Sequence, residues 1–410
     1  MKKSTRIFRN SFKRILVVIV FLLILLYPCI EVQAAATTDN QDQSILTEEI
    51  INQQADDMNI DKINDQINKY YGEEAQKIIP EFNPSQILSD AMQGKPIIDS
   101  GGIFKNAINY ILRELYLNIG IVIKLLVITV IVAILKNLQT SFLREGVGEI
   151  AFYACYIVMI TVLFAGFKTA TNIGIETVDV MVGFMQMSIP ILITLLISGG
   201  NVVTGSIFSP LLIGMIQLSA SLLKYFFMPL IFFSTVLTMI GNISDKINIS
   251  GICSLLKKVC TWTLAMFLTI FIGVIVVQGA FGSIIDGTTG KTVKYAVSTF
   301  IPVVGKYFAE AADMVLGCAL VLKNAAGIGV VIGIVIIVVA PLLKILALIL
   351  VYKVSAAIMQ MFGDTKMTNC VNEVASSLTY IFAITAVTAF MFFITITIMM
   401  GAGNNAAMIR

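Results

Sequence analysis

Residues 324–352 read NAAGIGVVIGIVIIVVAPLLKILALILVY and decide the fold class. Lys344 is their one charge, and the stretch exceeds the ~20 apolar residues that carry a helix across a bilayer. Working outward, comparable runs fill most of the chain from residue 119 to residue 400. Candidate spans fall at 119–138, 150–169, 178–198, 206–223, 225–241, 260–281, 324–352 and 374–400. Hydrophobic residues make up 57% of the 410 and charged residues 13%, where soluble domains carry about a quarter. Mean hydropathy is +0.90. These features predict an all-α polytopic membrane protein with about six to eight transmembrane helices.

The N-terminus has a different character. Lys2, Lys3, Arg6, Arg9, Lys13 and Arg14 precede an apolar stretch from Ile15 to Leu26, and small residues follow at Ala34 to Ala36. This is the pattern of a secretory signal peptide over 1–36, cut after Ala34 or Ala36; an uncleaved anchor is the alternative. Residues 37–115 are polar and acidic, and the signal peptide predicts that they lie outside the cytoplasm. Ile60, Ile63, Ile67 and Tyr70 recur at helical spacing. Asn83-Pro84 reads as a helix start and Gly94 as its end. A second apolar stripe, Ile103, Ala107, Ile111 and Leu115, runs into the first span. Small helices on the membrane surface and a docking surface for partner proteins are compatible readings of this segment. No basic patch interleaved with aromatics occurs, so nucleic-acid binding is not expected.

Residues 116–404 form the polytopic domain and 405–410 a short tail. With residue 115 outside, the basic loops near Lys136/Arg144, Lys246/Lys257/Lys258 and Lys353/Lys366 fall inside, as the positive-inside rule requires. The segment 282–323 then falls outside as a polar loop. Pro190 and Pro229 are separated by the same interval as Pro302 and Pro341, which suggests two parallel repeats over 178–281 and 293–400. Under that reading the four prolines are helix breaks, and 178–223 or 293–322 is a re-entrant hairpin.

Few motifs carry chemistry. The chain has no histidine, which removes His bases, relays and metal ligands. Gly287-Thr288-Thr289-Gly290-Lys291-Thr292 ends like a phosphate-binding loop, but Ile285 stands where the first glycine belongs, and a flexible polar loop is the better reading. The six cysteines form no C-x-x-C pair. Gly329 and Gly333 form a G-x-x-x-G step that lets helices approach closely, within the chain or against another subunit. Lys124 and Lys344 sit near predicted span ends and read as snorkelling side chains. No acid lies deep in a span: Asp179 is at an edge, and Glu310 and Asp313 are in the polar hairpin. No catalytic constellation and no cofactor site is expected.

The layout of signal peptide, acidic segment and spans carries several local phrases. They are Ser188-Ile189-Pro190, Phe227-Met228-Pro229-Leu230, the 241–258 basic patch, Asp286-Gly287, Phe300-Ile301-Pro302 and Lys353-Val354-Ser355-Ala356-Ala357. Together they resemble the stage III sporulation protein AE family of endospore-forming Firmicutes. The resemblance implies a non-enzymatic membrane subunit of the secretion-like channel complex between mother cell and forespore, needed for forespore development after engulfment. It implies location in the mother-cell-derived membrane around the forespore, with the N-terminal segment in the intermembrane space. The implied partners are other stage III proteins, including an ATPase, and a forespore-side protein. It assigns no site residues. A stand-alone small-solute permease is the second reading.

Overall fold

The computed structural model describes residues 61–80, 100–141, 145–242, 250–300, 305–362 and 365–409. The signal-peptide segment, the Asn83–Gly94 helix and Pro302 lie outside the described residues. Short helices α1 (Asp61–Tyr70) and α2 (Glu73–Gln76) precede α3 (Ser100–Leu117), which passes through Asn118 into α4 (Ile119–Ser141). Then come α5 (Glu145–Ser198) and α6 (Val202–Leu222). A π-helical turn at Leu223–Phe227 leads into α7 (Met228–Gly241). The chain closes with α8 (Ser250–Phe300), α9 (Gly305–Met359), a 3-10 turn at Gln360–Phe362, and α10 (Thr365–Ile409). No strand occurs among the described residues. Six helical runs are long and apolar enough to cross a membrane: 119–138, 149–198, 202–241, 251–293, 312–362 and 365–404. The chain is an all-helical membrane protein.

The eight candidate stretches become six runs by two mergers, within the expected six to eight. Spans 150–169 and 178–198 are one helix, α5, of 54 residues. The polar residues between them do not break it, because Thr171 Oγ1 donates to Phe167 O at 2.9 Å and Thr177 Oγ1 to Ile173 O at 2.6 Å. Each hydroxyl is satisfied inside its own helix. Spans 206–223 and 225–241 join through the π turn, which absorbs one extra residue around Lys224 and hands over to Pro229 in the first turn of α7.

The described residues of the expected outer loop 282–323 are all helical, so Gly287–Thr292 is a stretch of α8 and not a flexible loop. The C-terminal tail is likewise the end of α10. Pro190 and Pro341 lie within unbroken helices; only Pro229 marks a local irregularity among the described prolines of that set. The two halves of the expected repeat follow different courses. The chain reverses at Gly199–Asn201 between Pro190 and Pro229, whereas from Gly305 past Pro341 it is a single helix.

That reversal is specified locally. Gly200 has φ 76°, a conformation that costs glycine little. Asn201 N donates to Leu196 O at 3.1 Å and Gly200 N to Ile197 O at 2.8 Å. This is a Schellman close with Gly200 at the left-handed position.

The core is built on α9. In its most apolar stretch 83% of residues are buried, against 61% in α10 and 17% in α8. α9 packs on α10 and α5, with α4 and the N-terminal helices on its flank. Ile67, Ala75, Ile78 and Ile79 are buried there. The described helices of the acidic segment therefore turn their apolar faces to the bundle and not to a membrane surface. The expected stripe Ile103, Ala107, Ile111 and Leu115 is half-buried against the same core.

The helices alternate in direction, which brings Ser141, Glu145, Asn242, Ser250, Phe362 and Thr365 toward one end. Cross-links there include Tyr156 Oη to Met239 O at 3.1 Å, Ser234 Oγ to Cys253 O at 3.3 Å and the Lys257–Glu373 pair at 2.7 Å. The Gly199–Asn201 turn lies at the other end, called the turn end below.

Candidate functional site

The turn end holds a polar cluster inside an apolar bundle. Asp286 of α8 is 3% exposed. Its two carboxylate oxygens accept from the backbone N–H groups of Val203 and Thr204, each at 2.9 Å. Asn201, the residue before α6, makes no side-chain cap of its own. Asp286 caps α6 from across the bundle instead, and its charge meets the positive end of the helix dipole. Gly282 lets α8 come this close: a Cβ there would stand 2.6 Å from Thr204 Oγ1.

Lys323 of α9 is 1% exposed. Its Nζ donates to Met400 O at 2.7 Å and to Asn404 Oδ1 at 3.3 Å. Asn324 Nδ2 shares that acceptor at 3.3 Å. Both of these acceptors are carbonyl oxygens, and no salt bridge to Lys323 occurs among the described residues. Gly403 faces this group closely: a Cβ there would make the end of the Lys323 side chain shift and would stand 3.0 Å from Leu196. Asn201 Oδ1, Thr204 Oγ1 and Asn324 Oδ1 face no hydrogen-bond donor among the described residues. Burying an ammonium away from carboxylates is costly, which marks such residues as functional candidates in membrane proteins. Asp286 serves as a cap, and among the described residues no hydrogen bond joins it to Lys323. Among the described residues no group of His, Cys, Asp and Glu could hold a metal.

A belt of exposed charge crosses the middle of the bundle. Asp179 Oδ2 meets Lys224 Nζ at 2.7 Å across α5 and the π turn. Lys168 and Glu176 lie exposed on α5 nearby. Lys344, expected to snorkel, instead pairs with Glu74 of the N-terminal segment. The outer faces of α1 and the segment after it expose Asp65, Lys69, Glu73 and Lys77. Tyr110 of α3 is buried against this segment. Desolvation raises its hydroxyl pKa above the ordinary value, and Glu74 and Glu114 add to the shift. A shallow acidic groove between Tyr70 and Asn172–Val180 completes the belt.

The structure places the two packing glycines inside the chain. Gly329 and Gly333 are buried on α9. A Cβ on Gly333 would collide with Phe184 of α5 and sit 3.2 Å from Ile67 of α1. Sequence reasoning put Asp286 and Lys323 in an outer loop and so missed both. The available signal was periodicity: Ile275, Gly279, Gly282 and Asp286 recur at helical spacing, which puts Asp286 on a buried face.

These features define a class: a six-run helical membrane bundle carrying buried polar side chains at one end and a soluble-type segment docked on its flank. Residues 82–403 match the family model of stage III sporulation protein AE, and the chain belongs to that family. It is 32% identical over 384 residues to the stage III sporulation protein AE of Bacillus subtilis (strain 168), covering 92% of this chain and 95% of the relative. No solved structure matches. The protein's role is in sporulation.

Proposed function

We propose that the chain is a non-enzymatic membrane subunit of the channel complex joining mother cell and forespore, required for forespore development after engulfment. The observation that carries this reading is the family match over residues 82–403, which covers nearly all of the six apolar runs. The described residues of the bundle offer pairing, capping and packing, which suits an assembly subunit. In this reading 1–36 is a signal peptide and the N-terminal segment lies in the intermembrane space. The end carrying Lys136, Lys257 and Lys366 then faces the mother-cell cytoplasm, in keeping with the positive-inside rule. The partners are other stage III proteins, including an ATPase, and a forespore-side protein.

One observation favours a second reading, a stand-alone small-solute permease: the buried ammonium of Lys323. The two readings separate in a single experiment. The tagged chain is purified from sporulating cells under mild solubilisation, and co-purifying proteins are identified by mass. Recovery with several stage III proteins supports the subunit reading. Recovery alone, with solute uptake by vesicles holding only this chain, supports the permease.

A further inference from the structure

Asp286 and Lys323 are buried charges of opposite sign at the turn end, 3% and 1% exposed. Among the described residues no ion pair joins them. Asp286 is held by the backbone N–H groups of Val203 and Thr204, and Lys323 by Met400 O and Asn404 Oδ1. Between them stand the chain reversal and the first turn of α6. Thr204 Oγ1 faces α8, 2.6 Å from where a Cβ on Gly282 would stand. Asn201 faces the other way. Its Nδ2 lies 3.4 Å from the position of a Cβ on Gly403, and Lys323 Nζ lies against the same position. Residues 201–204 therefore separate the carboxylate from the ammonium.

The separating turn is itself poorly satisfied. Asn201 and Thr204 are 1% and 0% exposed, yet Asn201 Oδ1 and Thr204 Oγ1 face no donor among the described residues. A buried polar atom without a partner costs free energy, and such atoms collect where a structure stores strain. The turn also carries its own hinge: Gly199 and Gly200 precede Asn201, and Gly200 has φ 76°. Opposite charges attract far more strongly in an apolar interior than in water. Both ions here are already out of water, so meeting each other adds no further desolvation cost. Two such ions, each held only by neutral dipoles, have a competing arrangement in which they pair.

We propose that Asp286 and Lys323 are the two halves of a conformational switch, with residues 199–204 as the wedge between them. In the state described above the wedge is in, Asp286 caps α6 and Lys323 is tied to the end of α10. In the second state the turn swings out on Gly199 and Gly200, and the carboxylate and ammonium pair directly. Each charge then releases its own backbone partners, so the start of α6 and the end of α10 are freed together. The turn end opens or closes as a unit, as packed elements with two discrete arrangements do. This inference is independent of both the channel and the permease readings.

The test uses the full-length chain in membranes and a membrane-permeant carbodiimide. The reagent activates a carboxylate, and an amine in contact with it then forms an amide with release of the urea. Peptide masses identify the products. Lys257 and Glu373, in contact at 2.7 Å with Lys257 8% exposed, are the control that the reagent reaches buried pairs. An amide between residues 286 and 323 is expected in the parent, and none in Asp286→Asn or Lys323→Met. Leu320 stands 3.2 Å from a Cβ on Gly199, so Gly199→Cys with Leu320→Cys pins the turn to α9 when oxidised. The oxidised lock should lose the 286–323 amide while keeping the 257–373 one, and reduction should restore it. A parent that gives the control amide but none between 286 and 323, or an oxidised lock that still gives it, would each overturn the proposal.

Discussion

Asp286→Ala should be among the most damaging single truncations at the turn end. The carboxylate accepts two backbone N–H bonds at 2.9 Å while 3% exposed. Hydrogen bonds to a charged group contribute about 1.5–3 kcal/mol each. Part of the sum is offset because a buried carboxylate no longer has to be desolvated. Measured losses of N-caps reach about 2 kcal/mol, and a partly buried charge on a helix dipole adds up to ~2 kcal/mol. The expected loss is therefore about 2–4 kcal/mol for Asp286→Ala. Asp286→Asn keeps one acceptor but no charge and should lose about 1–2 kcal/mol. The assay is SDS titration of the detergent-solubilised chain followed by far-ultraviolet circular dichroism. A local readout is available too. Leu320 of α9 packs within 3.2 Å of a Cβ position on Gly199, and the nearby Cys318 is buried. Thiol labelling of Cys318 should accelerate in the order Ala, Asn, parent. Asp286→Ala within about 0.5 kcal/mol of the parent, the range of ordinary surface changes, would refute the capping argument.

Three further outcomes follow from the same geometry. Gly333→Leu drives a side chain into Phe184 and Ile67. It should destabilise by about 1–3 kcal/mol and expose the N-terminal segment to protease, and an unchanged digestion pattern would contradict the docking. Glu373→Ala leaves Lys257, 8% exposed, without its carboxylate. It should cost more in the same SDS titration than Lys257→Met, which removes the charge itself, because a stranded buried ion is worse than none. Tyr110 gives a pH dependence. Its folded-state pKa is raised by burial, so it stays protonated where the undocked phenol ionises. Docking of α3 is thus unaffected below the ordinary tyrosine pKa of about 10 and weakens as pH rises above it. Limited proteolysis near pH 9 and 11 reads this directly, and Tyr110→Phe should flatten the difference.

The helical membrane class was legible because apolar runs leave the backbone no partner but itself. The basic loops near Lys136, Lys257 and Lys366 were legible by charge, and the structure brings them to one end. The expected six to eight spans include the six runs found, but where those runs divide was not legible. Lys168, Glu176, Asp179 and Lys224 look like span boundaries, yet the helices pass through them, because exposed side chains can carry charge without disturbing backbone pairing. Long-range partners were also hidden. Nothing local says that Lys344 meets Glu74, or that Asp286 caps a helix more than eighty residues earlier. The close approaches at Gly282, Gly333 and Gly403 depend on which helix lies opposite, and only Gly333 fell within a recognisable step.

The central claim is a role in the channel between mother cell and forespore, and deletion of the gene tests it most directly, read as heat-resistant spore yield. Vegetative growth should be normal, since such a channel has no work before engulfment. Sporulating cells should complete engulfment and then stall with small or collapsing forespores, and the intact gene supplied in trans should restore the yield. A normal yield of heat-resistant spores from the deletion strain would contradict the account.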